Sequence, residues 1–214
     1  MKILYCSTTR LGEELYEELF WGLSDQKCVI EFGHDYNEEI KKYPEDYDLG
    51  VSFLYTHKIP AEQIQNHIWI NFHPGPLPEM RGRNLAYHAI MEGRKEFGAT
   101  LHYMDADYDT GDIIECRRFP IFENETAGDL VQRTHKVLAE MFREWMARFI
   151  AGEKIIGMSQ SCNSFYYRKE KIDEMIELQP DQIRKLRALT VAGKYYAKVE
   201  VDGKIYKIVP EDEL

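Results

Sequence analysis

Positive charge is in short supply: 27 Lys and Arg stand against 37 Asp and Glu, for a formal net charge of −10. A chain that grips nucleic acid by its phosphates needs a basic stripe or patch. This balance therefore argues against a nucleic-acid partner, while leaving room for a local basic pocket. Cysteine is scarce too. Cys6, Cys28, Cys116 and Cys162 lie far apart with no C-x-x-C pair, which speaks against a zinc site or a disulfide framework and for reduced thiols. No apolar run approaches the about 18 residues of a membrane span. Met1 leads directly into K-I-L-Y-C, without the pattern of a signal peptide. The expectation is a soluble, cytoplasmic protein with no membrane partner. Internal repeats and low-complexity tracts are also missing. Core-forming material is not: 44% of the 214 residues are hydrophobic and 13% aromatic, ample for one domain of ordinary size with a small appendage.

Strand and helix patterns alternate through residue 150. Residues 2–6 read as a buried strand, and Ser7, Thr8 or Thr9 can cap the helix that follows. Leu11, Leu15, Leu19 and Phe20 recur at helical spacing, so a helix is expected over 11–23. Strands are expected at 29–32 and 49–54, then a short helix opened by Pro60, whose missing N–H costs nothing in a first turn. Strand 67–72, helix 84–92 and strands 98–104 and 113–121 follow. The longest helix is expected over 126–150, burying Leu130, Val137, Leu138, Met141, Trp145 and Phe149. Beyond it the pattern becomes β-rich, and alternation around Asp202-Gly203 signals a hairpin. The expected fold is α/β, an abbreviated Rossmann-like, mostly parallel sheet over 1–152 with a small β-rich C-terminal tail over 153–214. A lone hairpin is marginal, so Tyr195–Val209 is expected to pack on the main sheet or to pair with a second subunit in a homodimer.

One stretch breaks the ordinary pattern: I-W-I-N-F-H-P-G-P-L-P-E-M-R-G, residues 68–82. Side chains alternate along a strand, so Trp69, Asn71 and His73 share one face while Ile68, Ile70 and Phe72 share the other. Two polar groups thus point together near the carboxyl end of a strand, where open α/β sheets bind ligands. Pro74, Pro76 and Pro78 cannot continue a ladder, because each removes a donor and fixes φ. They make a rigid wall beside the two polar groups.

A second stretch, M-D-A-D-Y-D-T-G-D-I-I at 104–114, carries Asp105, Asp107, Asp109 and Asp112. It has the density of a calcium loop but lacks the closing Glu, and a strand begins at once, so no metal is expected. A tight turn that aims one carboxylate back at the crevice makes better sense. A carboxylate beside an imidazole holds its tautomer, and Asn, His and Asp together can polarise a carbonyl, stabilise an oxyanion and move a proton. Neither stretch contains a Ser or Cys nucleophile, so direct transfer to an amine or to water fits better than an acyl-enzyme.

The pair N-F-H-P-G-P-L-P-E-M-R-G-R-N and G-A-T-L-H-Y-M-D-A-D-Y-D-T-G-D-I-I resembles the folate-dependent formyltransferase family. Its members include glycinamide ribonucleotide transformylase, methionyl-tRNA formyltransferase and sugar-nucleotide N-formyltransferases. The resemblance implies the formyltransferase fold, with Asn71, His73 and Asp109 as catalytic residues. His73 and Asp109 stand 36 residues apart, which suits the family and selects Asp109 over Asp112. Asn71 would hold the formyl oxygen and His73 would stabilise the oxyanion, while Asp109 would orient His73 and accept the amine's proton. The donor would be N10-formyltetrahydrofolate, its pterin lying between the 52–59 segment and the 104–109 turn, near Phe53, Leu54, Tyr55, Lys58, Ile59, Leu77, Asp105 and Asp107. The Leu77–Pro78 bond would be cis.

Three departures narrow the acceptor. C-S-T-T-R-L-G after the first strand lacks the paired glycines that cradle the phosphate in glycinamide ribonucleotide transformylase, although Arg10 remains an anion contact. The short tail and the charge of −10 tell against tRNA. The N-terminal half has room for about one fewer βα unit than a full nucleotide-binding sheet. The tail F-Y-Y-R-K-E-K-I-D resembles sugar-nucleotide N-formyltransferases, whose acceptor is an amino deoxysugar on a nucleotide. Arg81, Asn84, Tyr166, Tyr167 and Arg168 would then bind substrate, with aromatic faces for the base and cations for the diphosphate. The alternatives are a formyltetrahydrofolate hydrolase, or transfer to glycinamide ribonucleotide or methionyl-tRNA.

Overall fold

In a computed structural model of the chain the elements run β1 (Lys2–Ser7), α1 (Arg10–Gly22), β2 (Val29–Phe32), β3 (Leu49–Phe53), α2 (Ala61–Asn66), β4 (Ile68–His73), β5 (Arg81–Gly82), α3 (Leu85–Met91), β6 (Glu96–Tyr103), β7 (Ile113–Pro120), α4 (Ala127–Ile150), β8 (Tyr166–Tyr167), α5 (Ile183–Leu189), β9 (Lys198–Val201) and β10 (Lys204–Lys207). The structure describes residues 1–22, 29–32, 43–123, 125–160, 165–168, 183–191, 196–201 and 204–207. The Asp202-Gly203 turn, Cys28 and Cys162 fall outside these residues.

Six strands form one sheet in the order β2-β1-β3-β4-β6-β7. The first four are parallel, and β6 and β7 run antiparallel to their neighbours. The sheet is covered on both faces, as a mostly parallel sheet requires. Ile3, Tyr5, Val51, Phe53, Ile70 and Phe72 meet Leu138, Met141, Phe142 and Met146 of α4 and Leu15 of α1. On the other face Leu4, Cys6 and Trp69 pack with Tyr43, Tyr47 and Ile59. The two faces of β4 are those its alternation predicts, except that Ile68, at the open start of the strand, is 58% exposed.

Local chemistry explains where the helices begin. Thr9 is the residue that caps α1, its hydroxyl accepting the Gly12 N–H and its carbonyl the Glu13 N–H. Thr126 caps α4 through a reciprocal box, accepting from the Asp129 N–H while the Asp129 carboxylate accepts from the Thr126 N–H. The buried stripe of α4 is broader than the one read from spacing. Leu130, Leu138, Met141 and Phe149 are buried as expected, joined by Thr134, Phe142 and Met146, while Val137 and Trp145 are only partly covered. Trp145 sits at the rim because its indole N–H donates to Glu115, a partner the apolar centre cannot offer.

Of the C-terminal elements, β8 and α5 pack on the rest of the fold. β8 pairs in parallel with β5, and Tyr167 and Ala188 enter a third cluster with Met80, Leu85, Ala89, Phe97 and Leu130. β9 and β10 form their own antiparallel ribbon, Lys204 opposite Val201. No helix among the described residues is long and apolar enough to cross a membrane.

Candidate active site

The site forms where the sheet changes direction, between parallel β4 and antiparallel β6. Cross-strand neighbours share a face, and the register sets His102 opposite Asn71 and Thr100 opposite His73. Four polar side chains thus line one patch of sheet. Thr100 fastens the proline loop above it, its hydroxyl donating to the Gly75 carbonyl at 2.7 Å and accepting the Leu77 N–H at 3.0 Å. The Leu77–Pro78 bond is cis. The loop ends by placing the Met80 carbonyl 2.8 Å from His73 Nε2.

Asp109 arrives from the turn between β6 and β7, which folds back over this patch. Its Oδ1 lies 3.5 Å from His73 Nδ1 and 3.8 Å from His102 Nε2. Its Oδ2 accepts the Gly82 N–H at 2.9 Å. The backbone of Asp109 is left-handed, φ 57°, a conformation costing a non-glycine residue about 1–2 kcal/mol. The turn is tightened by Asp105, which accepts from Thr110 Oγ1 and the Asp107 N–H, and by Asp107, which accepts the Tyr108 N–H.

Proton placement follows from the partners. A carbonyl only accepts, so His73 carries its proton on Nε2 for Met80, and Nδ1 is the nitrogen that faces Asp109. His102 donates from Nδ1 to the Tyr103 carbonyl at 2.6 Å, so its bare Nε2 accepts from Asn71 Nδ2 at 3.1 Å. This fixes the carboxamide: one N–H is held by His102, and the other has no hydrogen-bond partner among the described residues. Burial drives the His102 pKa down to about 4, with His73 pushing the same way and Asp109 opposing. His102 is therefore a neutral acceptor at ordinary pH, which its task requires.

A testable consequence follows for stability. The unfolded chain gains a proton on His102 near pH 6.5, whereas the folded chain does so only near pH 4. Stability present above pH 6.5 is thus lost as pH falls towards 4, by about 3 kcal/mol. Urea unfolding at pH 7 and pH 4 should show this loss in the wild type, and a loss smaller by about that amount in His102→Gln. Equal pH slopes in the two proteins would refute it.

The other expected contacts have diverse positions. Lys58 Nζ stands 5.3 Å over the Tyr108 ring, which brings the 52–59 segment to the 105–109 turn, and Arg83 donates to the Thr56 carbonyl at 2.7 Å. Leu54 is left-handed (φ 51°), its carbonyl accepting from Thr8. Tyr55 packs against the cluster that contains buried Ile59, while Phe53 and Leu77 are fully buried, leaving chiefly their backbone for a ligand. Arg10 is exposed and pairs with Glu14 at 3.1 Å. Asn84 occupies the N-cap of α3 in a left-handed conformation without a side-chain cap.

Arg81 is buried, donating through Nε and Nη2 to the Tyr108 carbonyl; its guanidinium carbon lies 5.8 Å from the Tyr166 ring. Tyr167 is buried as well, its hydroxyl donating to Glu92 at 2.6 Å and accepting from Arg94 at 3.1 Å. Tyr166 and Arg168 line a cavity of about 620 Å³ with His88, Glu92, Phe165 and Tyr167. The main residues missed from sequence are Thr100 and His102. Their signal was a polar residue at alternate positions in an otherwise apolar strand.

Gly82 shows why the C-terminal segment matters here. Its φ is +105°, and a Cβ would lie 2.1 Å from the Tyr167 carbonyl oxygen. Only glycine lets β8 close on β5 while the Gly82 N–H still reaches Asp109.

An α/β sheet with buried His73 beside partly buried Asn71 and Asp109 at its switch point, and no serine or cysteine hydrogen-bonded to His73 or Asp109 among the described residues, has the groups to activate a carbonyl towards an external nucleophile. Residues 28–146 match the family described as formyl transferase, and the chain belongs to that family. It is 32% identical over 178 residues to the methionyl-tRNA formyltransferase of Listeria welshimeri, covering 77% of this chain and 55% of that protein. It is 30% identical over 171 residues to the GDP-perosamine N-formyltransferase of Brucella melitensis, covering 76% and 64%. The chain thus spans between about half and two thirds of these relatives. An N-formyltransferase from Helicobacter canadensis, solved in complex with folinic acid and dTDP-3-aminofucose, superposes with a TM-score of 0.72 at 20% identity, over 95% of this chain and 85% of that one.

Proposed function

We propose that this protein is an N-formyltransferase that moves a formyl group from N10-formyltetrahydrofolate to the primary amine of a nucleotide-linked amino deoxysugar. The observation that carries the reading is the Asp109 carboxylate held 3.5 Å from His73 Nδ1, beside Asn71, one of whose amide N–H groups is unspent among the described residues. The donor reading is supported by family membership and by the folinic acid bound to the Helicobacter relative. The acceptor reading is supported by the nucleotide-sugar names of two relatives and by the acidic charge, which suits no RNA. The cavity at β8 offers the aromatic rings of Phe165 and Tyr166 with Arg168, a combination suited to a base and a diphosphate.

The chemistry assigned to each residue is as follows. The amine lone pair attacks the formyl carbon, and the carbonyl electrons move to oxygen in a tetrahedral intermediate. The second N–H of Asn71 and the Nδ1–H of His73, which in this step carries a proton on each ring nitrogen beside the Asp109 carboxylate, donate to that oxygen. Asp109 takes the proton the attacking amine sheds and returns it as the C–N10 bond breaks, so tetrahydrofolate leaves with one proton gained and the product is the formamide. Burial of His73 and His102 keeps water away, which strengthens these charges.

The test mixes the protein with N10-formyltetrahydrofolate, with and without candidate amino-sugar nucleotides. Amine-dependent release of tetrahydrofolate is the expected result. Release at the same rate without amine would show water to be the acceptor and sink the transferase reading. Calorimetry with 5-formyltetrahydrofolate, an unreactive isomer, should show binding and raise Tm by mass action; no binding at saturation would remove the donor.

A further inference from the structure

Gln160 lies beyond α4 and beyond residues 28–146 that match the family. Its side-chain N–H₂ donates to two carbonyls at once, that of Asp109 at 3.1 Å and that of Gly111 at 2.6 Å. One amide therefore bridges the backbone on both sides of Thr110. We propose that Gln160 is a positioning residue for formyl transfer, holding Asp109 in the left-handed conformation that aims its carboxylate at His73. The proposal rests on the catalytic reading of Asp109 given above.

Three features make Gln160 a strut and not a chance neighbour. Its own backbone is moored: Met158 and Ile113 exchange hydrogen bonds of 2.7 and 2.8 Å, and the Tyr103 hydroxyl donates to the Ile155 carbonyl at 2.9 Å. The turn is pressed between two supports, because a Cβ on Gly111 would lie 2.0 Å from the Tyr103 carbonyl oxygen, while Gln160 gathers the carbonyls of residues 109 and 111. Finally, at 3.5 Å the Asp109–His73 contact is longer than a hydrogen bond. The carboxylate is thus located by its backbone and by Gly82, not by His73. Arg81 anchors the Tyr108 carbonyl, so the peptides before and after Asp109 each have a dedicated side chain. Gln160 is the anchor that comes from the C-terminal segment.

Gln160→Met keeps length and volume and removes the donor. Steady-state formyl transfer is measured over a range of amine concentrations in the wild type, Gln160→Met, Asp109→Asn and the double variant. Misplacing a reacting group by about 1 Å costs about 100-fold, so Gln160→Met should lose roughly 10- to 100-fold in kcat with the amine KM unchanged. In the Asp109→Asn background the same change should cost less than about twofold, since residues acting through one another are not additive. A crystal structure of Gln160→Met should show Asp109 out of the left-handed region and its carboxylate farther from His73. The proposal is overturned by equal losses in both backgrounds, by a wild-type rate, or by an Asp109 that has not moved. Should the wild type formylate no amine, the acceptor reading fails, and the crystal comparison still decides the case of Gln160.

Discussion

Asp109→Asn should lower turnover by about 10²–10⁴-fold, the usual worth of a general acid–base step, while 5-formyltetrahydrofolate affinity changes far less. The asparagine keeps the shape of the carboxylate and can still accept the Gly82 N–H that Oδ2 takes at 2.9 Å, so the turn stays closed. It can neither take the amine's proton nor stabilise charge on His73, 3.5 Å away. The control is Asp112→Asn, three residues on. Asp112 is exposed, and among the described residues the carboxylate beside both imidazoles is that of Asp109. Steady-state transfer rates of the two variants separate the roles. If Asp112→Asn abolished transfer while Asp109→Asn left it intact, the carboxylate would have been assigned wrongly.

Much of this arrangement could be read from the chain because it is written in local pattern. The alternation of I-W-I-N-F-H puts Asn71 and His73 on one face whatever the rest of the fold does, and α4 announces itself through Thr126, Asp129 and its apolar stripe. What could not be read depends on contacts between distant segments. Strands β5 and β8 are two residues each, too short to leave a periodic signal, and their pairing exists because Gly82 admits the Tyr167 carbonyl. Arg81 is expected from the family resemblance to bind substrate, and the structure shows its side chain buried. Its burial against the Tyr108 carbonyl follows from the turn folding back over β4, which no spacing reveals. His102 was legible as a residue type but not as a partner. Only the antiparallel register at β4 and β6 sets it against Asn71.

His73→Gln should cost about 10²–10³-fold in kcat, the loss seen when one donor to a developing oxyanion is removed. The substitution is chosen so that structure and chemistry separate. His73 has two jobs: its Nε2 donates to the Met80 carbonyl at 2.8 Å, closing the proline loop, and its Nδ1 faces Asp109. A glutamine amide can still donate to the Met80 carbonyl, so that buried acceptor does not lose its partner at the cost of an unsatisfied group. What glutamine cannot supply is a cation. A neutral amide in place of an imidazolium leaves the oxyanion with a weaker donor and Asp109 without a counter-charge, in a site where burial magnifies both. Folate binding and Tm should therefore remain close to those of the wild type while transfer falls. Transfer at the wild-type rate would show that Asn71 alone carries the oxyanion and that His73 serves only the loop. A collapse of Tm together with folate binding would show that Met80 had lost its partner, and His73→Asn, shorter still, should then be worse in both respects.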